Sequence, residues 1–94
     1  MNGSQFTEHA RVRMQQRGVT TDLLQLLDAY GVTQHDHHGA KLRYFNKASR
    51  RRLLSVEGRD VFRRVESKLD VYAVIASDGG VITVGHRDQR IRRH

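Results

Sequence analysis

Histidine and arginine recur along one flank of the first predicted helix. His9, Arg13 and Arg17 follow one another at intervals of four residues. Four residues advance an α-helix by slightly more than one turn, so these side chains drift by about 40° per step and stay on one flank. On such a surface the two guanidinium groups could bind a phosphate, and the imidazole beside them could act as an acid or a base.

A second group of the same residue types lies near the other end of the chain. His86 and Arg87 follow the apolar part of the last predicted strand, and Arg90 comes three residues later. Alternation along that strand places His86 on the same face as Ile82 and Val84, and Arg87 on the opposite face.

These residues fit one reaction, the metal-independent cleavage of RNA. The ribose 2′-hydroxyl attacks phosphorus, which requires a base, an acid for the leaving 5′-oxygen and cations for the phosphorane charge. Histidine suits both proton transfers because its unperturbed pKa is about 6.5, so His9 and His86 are the candidate catalytic pair. Candidate phosphate- or RNA-binding residues, including two hydroxyl donors, are Arg13, Arg17, Tyr44, Thr83, Arg87 and Arg90.

Four of these candidates also have an ordinary structural interpretation. A histidine in a first helical turn, such as His9, is most often solvated, and His86 can simply end a sheet edge. Arg13 and Arg17 can brace the helix through ion pairs with Glu8 or with acids of the second helix.

The chain is strongly basic. Its formal net charge is +7, from 17 Lys and Arg against 10 Asp and Glu, and only Lys41, Lys47 and Lys68 are lysines. Arginine binds phosphate bidentately and stacks on bases, so a small basic domain indicates a nucleic-acid partner first. The alternatives are a solvated charged surface and a surface that meets an acidic protein.

Length and composition exclude several classes. With 94 residues and no cysteine, we expect one domain, 1–94, without disulfides, a thiolate nucleophile or sulfur-ligated zinc. No apolar run approaches a membrane span and no signal-peptide pattern is present, so a cytoplasmic protein without a membrane partner is expected. The loop from His35 to His38 has metal-ligand residue types, but adjacent loop residues rarely converge on one ion. We therefore expect no metal and no cofactor.

Two capped helices are predicted first, over residues 7–17 and 21–30, each followed by a glycine. Residues 41–46 alternate as a strand, and 32–34 are a short strand. Residues 47–57 fit either a helix or a strand, whereas 59–69 have helical spacing.

A hairpin is predicted near the end of the chain. Residues 71–76 are nearly all apolar, which indicates a strand covered on both faces. The Ser-Asp-Gly-Gly run at 77–80 supplies turn residues, and residues 81–87 form the second strand of the hairpin.

Three segments carry a family resemblance: the opening F-T-E-H-A-R-V-R-M-Q-Q-R-G-V, the leucine-rich second helix, and the terminal D-G-G-V-I-T-V-G-H-R. Together they resemble a family of small bacterial domains of unknown function placed among the RelE-like toxins, within the barnase–RelE-like group of ribonucleases. The resemblance covers most of the chain. It implies an α+β fold, with two N-terminal helices packed on a small, mostly antiparallel sheet, and more weakly it implies metal-independent RNA cleavage.

Three functions stay open from the sequence. They are a toxin-like endoribonuclease that cleaves or binds RNA, a nucleic-acid-binding domain without catalysis, and an interaction module for an acidic protein such as an antitoxin. The first requires His9 and the pair His86 and Arg87 to lie within reach of one phosphodiester. Arg87 joins them only if the strand twists or bulges after Gly85.

Overall fold

The computed structural model describes residues 6–35 and 39–87. Within them the chain is an α+β domain whose four strands form one antiparallel sheet in the order β1-β2-β3-β4. This confirms the expected fold class, in which two N-terminal helices precede and pack on a small antiparallel sheet. The elements are α1 (Glu8–Arg17), α2 (Thr21–Tyr30), β1 (Val32–His35), β2 (Lys41–Tyr44), α3 (Lys47–Glu57), α4 (Arg59–Val65), a 3-10 turn (Glu66–Lys68), β3 (Val71–Ile75) and β4 (Val81–His86).

Side-chain caps set the bounds of the first two helices. Thr7 Oγ1 accepts a hydrogen bond from the backbone N–H of Ala10 at 3.0 Å, and Thr20 Oγ1 accepts one from Leu23 at 3.1 Å. Gly18 ends α1 in the left-handed region, with φ of 65°. Each threonine satisfies a helix-terminal N–H that has no partner inside the helix, so local sequence is sufficient to start these elements.

The segment that fitted either a helix or a strand is the helix α3. It begins with a reciprocal cap, in which Ser49 N–H donates to Asn46 Oδ1 and Asn46 N–H donates to Ser49 Oγ, both at 2.8 Å. Such a box usually pairs Ser or Thr with Glu or Gln, and the Asn–Ser version is harder to see in a sequence. Leu53 is the large side chain that α3 buries completely.

The core lies on one face of the sheet. Helices α1, α2 and α3 bury residues in the same cluster as β3, and α4 packs Phe62 and Val65 against it. The cluster consists of Ala10, Val19, Leu23, Leu24, Leu27, Phe45, Leu53, Leu69, Val71, Ala73, Ile75, Val81 and Val84.

Strand β3 contributes only alternate residues to that cluster. Val71, Ala73 and Ile75 are buried, whereas Tyr72 and Val74 are half-buried, lie on the opposite face and are not part of the core. The expectation that β3 is covered on both faces is therefore wrong. An antiparallel sheet can leave one face uncovered, and here the apolar run of β3 supplies both a core face and an open one.

A β-bulge decides which side chains of β4 face the helices. The pairing with β3 shifts at one position, which leaves Ile82 as an extra residue. Val81 and Val84 are consequently both buried, at 0% and 2% exposure, whereas Ile82 is 37% exposed. The prediction that Ile82 shares a face with Val84 and His86 is wrong, because the bulge interrupts the strict alternation on which it was based.

The helices of the described ranges are short. The longest, α3, has 11 residues, and none among residues 6–35 and 39–87 combines the length and apolar character of a membrane-crossing helix.

Two neighbouring leucines test the position of the core. Leu27 is 0% exposed, whereas Leu26 is only partly buried at the margin. Leu27→Ala should lower the free energy of unfolding by about 2–5 kcal/mol, since it removes buried methyl groups and leaves a cavity, and Leu26→Ala should cost distinctly less. Urea unfolding followed by circular dichroism measures both; equal losses would mean that α2 is rotated from the orientation described.

Candidate nucleic-acid interface

The face of the sheet opposite the helices carries a continuous patch of side chains, which we call the open face. Cross-strand partners in an antiparallel sheet share a face, so the register defines its members. They are Val32, Gln34, Leu42, Tyr44, Tyr72, Val74, Thr83 and Gly85. None of them belongs to the core cluster, and no carboxylate is among them.

Arg87 extends the open face just past the end of β4. Its guanidinium carbon lies 4.5 Å from the centroid of the Tyr44 ring. Its backbone N–H donates to the Asp70 carbonyl at 2.7 Å, which continues the β3–β4 ladder by one residue. Tyr44 is on β2, so the Arg87 side chain reaches across β3. The ring quadrupole attracts the cation, and the contact holds a guanidinium group against the open face.

The structure brings together three of the predicted RNA-binding residues. Tyr44, Thr83 and Arg87 all belong to the open face or extend it. Arg13 and Arg17 do not join them, because they are on α1, which packs on the other side of the sheet. The predicted residue Arg90 lies outside the described residues.

His86 faces the helices, and both of its ring nitrogens have partners. Nδ1 lies 2.7 Å from Asp70 Oδ1, and Nε2 lies 3.0 Å from the backbone carbonyl of Arg17. A carboxylate and a carbonyl are both acceptors, so each ring nitrogen can donate to its partner when it carries a proton. His86 therefore joins the C-terminal end of α1 to β3 and β4.

His9 lies at the opposite end of α1. It is exposed in the first turn, next to Thr7, whose hydroxyl donates to the Ile82 carbonyl at 3.0 Å and attaches the start of the helix to β4. At 1.5 Å of rise per residue, the backbones of His9 and Arg17 are about 12 Å apart along the helix axis. The structure does not bring His9 to His86, and their role as an acid–base pair stays a prediction.

Other arginines stabilise helix ends. Arg43 donates to the carbonyls of Asp28 and Gly31 at 2.5 and 3.1 Å, and Arg52 donates to the Tyr30 carbonyl at 2.8 Å. These bonds satisfy carbonyls at the C-terminal end of α2 that have no partner within the helix. In the described part of the chain, by contrast, no hydrogen bond or ion pair is made by the side chains of Arg11, Arg13, Arg51, Arg59, Arg63 and Arg64.

A tyrosine on the helix side has a shifted pKa. The Tyr30 hydroxyl donates to Glu57 Oε2 at 2.5 Å, which joins α2 to α3. This hydrogen bond, with desolvation and the charge of Glu57, raises the pKa of Tyr30, because the phenolate could not donate and would face a carboxylate; Arg52 opposes the shift. The contact joins two helices, and Tyr30 packs against the core cluster rather than belonging to the open face.

Potential metal ligands do not cluster in the described residues. No group of three or more His, Cys, Asp or Glu side chains that could hold an ion occurs in residues 6–35 and 39–87. Of the histidine-rich loop only His35 falls in these ranges; residues 36–38 lie outside them.

Comparisons with protein-family models, curated proteins and solved structures gave no match to this chain. The resemblance to RelE-like domains therefore stays a prediction.

Sequence reasoning missed Tyr72. It lies directly opposite Tyr44 in the β2–β3 register and so places a second aromatic ring on the open face. Alternation along residues 71–76 already separates Tyr72 from Val71 and Ala73. The assumption that both faces of that strand are covered concealed the signal.

The structural role of His86 can be tested by comparing its replacement with the same replacement at His9. His86→Ala removes the contacts of the imidazole with Asp70 and with the Arg17 carbonyl, both partly accessible to water, so the free energy of unfolding should fall by about 1 kcal/mol. His9 is exposed and its side chain makes no described contact, so His9→Ala should change it by no more than about 0.5 kcal/mol. Urea unfolding at neutral pH compares them. Losses of the same size would contradict the role assigned to His86.

Proposed function

We propose that this protein binds RNA and that the open face is the contact surface. The observation that carries the proposal is the guanidinium of Arg87 stacked on the Tyr44 ring, 4.5 Å from its centroid. Aromatic rings and guanidinium planes are the groups on which proteins stack bases, and a guanidinium also binds phosphate bidentately. Tyr72 and Thr83 add a second ring and a hydroxyl donor to the same face.

The charge distribution supports the same conclusion. The chain carries a net charge of +7, and no carboxylate is among the open-face residues. Arginines elsewhere whose side chains have no partner among residues 6–35 and 39–87, such as Arg13 and Arg51, raise the overall positive potential. Such a field attracts polyanions over distances of about a Debye length and makes binding dependent on salt.

Binding is proposed ahead of cleavage because of the histidines. Catalysis by His86 would require it to release Asp70 or the Arg17 carbonyl, and His9 would have to act from the other end of α1. The RelE-like resemblance keeps ribonuclease activity as the second candidate function. Incubating the wild-type protein with labelled RNA in the presence of a chelator measures both RNA binding and metal-independent cleavage.

Comparing variants of Arg87 and Arg51 distinguishes a specific RNA contact from the effect of overall positive charge. Arg87→Ala and Tyr44→Ala should each weaken binding of a short labelled RNA about 5- to 150-fold, because stacking contributes about 1–3 kcal/mol per base. Arg51→Ala removes the same charge from exposed α3 and should change affinity about twofold or less.

Wild-type affinity should also fall about tenfold or more between 50 and 200 mM salt, as for neutralisation of about three phosphates. Fluorescence anisotropy measures all of these.

Two results would count against the proposed surface. One is absence of binding at low salt, and the other is equal loss of affinity in Arg51→Ala and Arg87→Ala. Cleavage by the wild type in chelator that disappears in His86→Ala and His9→Ala, with affinity retained, would instead establish the ribonuclease.

A further inference from the structure

The ring of Tyr72 lies across the backbone of β4. A Cβ atom added at Gly85 would be 2.9 Å from Tyr72 Oη and 3.1 Å from the Cε2 and Cζ atoms of the ring. Gly85 is the cross-strand partner of Tyr72 and does not adopt a left-handed φ. Glycine is therefore needed at this position for the space it leaves above the strand, and the ring of Tyr72 occupies that space.

The two open-face tyrosines differ in what covers them. Tyr44 has the Arg87 guanidinium over its ring. Tyr72 is half-buried, lies outside the core cluster, and has no cation over its ring within residues 6–35 and 39–87. One ring of the pair thus already holds a cation, while the other offers an aromatic surface beside it.

We propose that Tyr72 is the stacking position for an unpaired base, so that the ligand of the open face is single-stranded RNA. This inference rests on the proposed function. Bases inside a duplex are covered by their neighbours and cannot stack on a protein ring, whereas an unpaired base can. A base on Tyr72 brings its own backbone phosphate toward the guanidinium that Tyr44 holds.

The charge of the protein favours single-stranded RNA over a second copy of the chain as the ligand of the open face. Val32, Leu42 and Val74 make part of the open face apolar, which a dimer would also bury. Pairing two open faces would, however, bring together two domains of charge +7, each with Arg87 at the patch and no open-face carboxylate to compensate. A polyanion with exposed bases matches both the charge and the rings.

Three variants test the stacking position. Tyr72→Ala should weaken binding of a single-stranded RNA dodecamer about 5- to 150-fold, and Tyr72→Phe, which keeps the ring, by about twofold or less. Gly85→Ala should also weaken binding, because the new methyl group displaces the ring. The fold should survive this change, since the clash is with a side chain that can move rather than with backbone. Urea unfolding of each variant checks this, and Gly85→Ala tests the inference even if Tyr72→Ala unfolds.

Tyrosine fluorescence supplies a direct readout. The chain has 3 Tyr and no Trp, so tyrosine emission is not masked. A base stacked on Tyr72 should quench part of that emission, and the additional quenching should be absent in Tyr72→Phe even though RNA is still bound. The wild type should bind the dodecamer at least about tenfold more tightly than the same sequence annealed into a duplex.

The outcomes separate this inference from the proposed function. Absence of RNA binding by the wild type would overturn both. Tight single-strand binding that survives Tyr72→Ala and Gly85→Ala, or equal affinity for the duplex, would overturn the stacking position and leave RNA binding intact. Dimerisation in sedimentation equilibrium that Tyr72→Ala abolishes, without RNA binding by the wild type, would assign the open face to a second copy of the chain.

Discussion

The extra residue in β4 decides what each side of this protein presents. Because Ile82 is bulged, Val81 and Val84 both reach the core although they are three residues apart. Beyond the bulge the strand alternates regularly, so that His86 faces the helices, whereas Gly85 and Arg87 belong to the opposite side. A one-residue change of register would exchange the two sets and place a guanidinium in the core and an imidazole on the open face.

The helix side is organised around the attachment of α1 to the edge strand β4. Thr7 bonds to β4 at the start of the helix and His86 bonds to the Arg17 carbonyl at its end. Ala10, fully buried between them, is small enough to let the helix approach the strand closely. The helix has only this one fully buried residue, so polar contacts at both ends supply much of what positions it. A histidine used in this way has both nitrogens committed.

The open face follows from the same arrangement. Once the helices of the described chain cover one side, the alternate residues of each strand remain on the other, and in β2 and β3 those residues include Tyr44 and Tyr72 directly opposite each other. Arg87 crosses β3 to stack on the first ring, and Gly85 leaves space for the second. Groups with affinity for bases and phosphates are thus separated by the sheet from the histidines that resemble a catalytic pair. That separation is the physical reason for proposing binding ahead of cleavage.

Local signals in the sequence determined most of the elements, with α3 as the exception, and tertiary structure decided how their side chains combine. The threonine caps, Gly18 and the leucines of α2 predicted the first two helices, and the turn holds Gly79 at φ of 93° with Gly80 N–H bonded to Asp78 Oδ1, as Asp-Gly pairs favour. These signals act within a few residues and can be read directly. The bulge at Ile82, the choice of covered face and the pairing of Tyr44 with Tyr72 depend on contacts between residues far apart in the chain. Strand alternation has a period of two, so a bulge reverses the faces of the residues on one side of it relative to those on the other. Here Val81 and Ile82 lie on the faces opposite to those predicted, whereas His86 and Arg87 keep the faces that alternation predicts. Only the packed sheet fixes where the bulge lies.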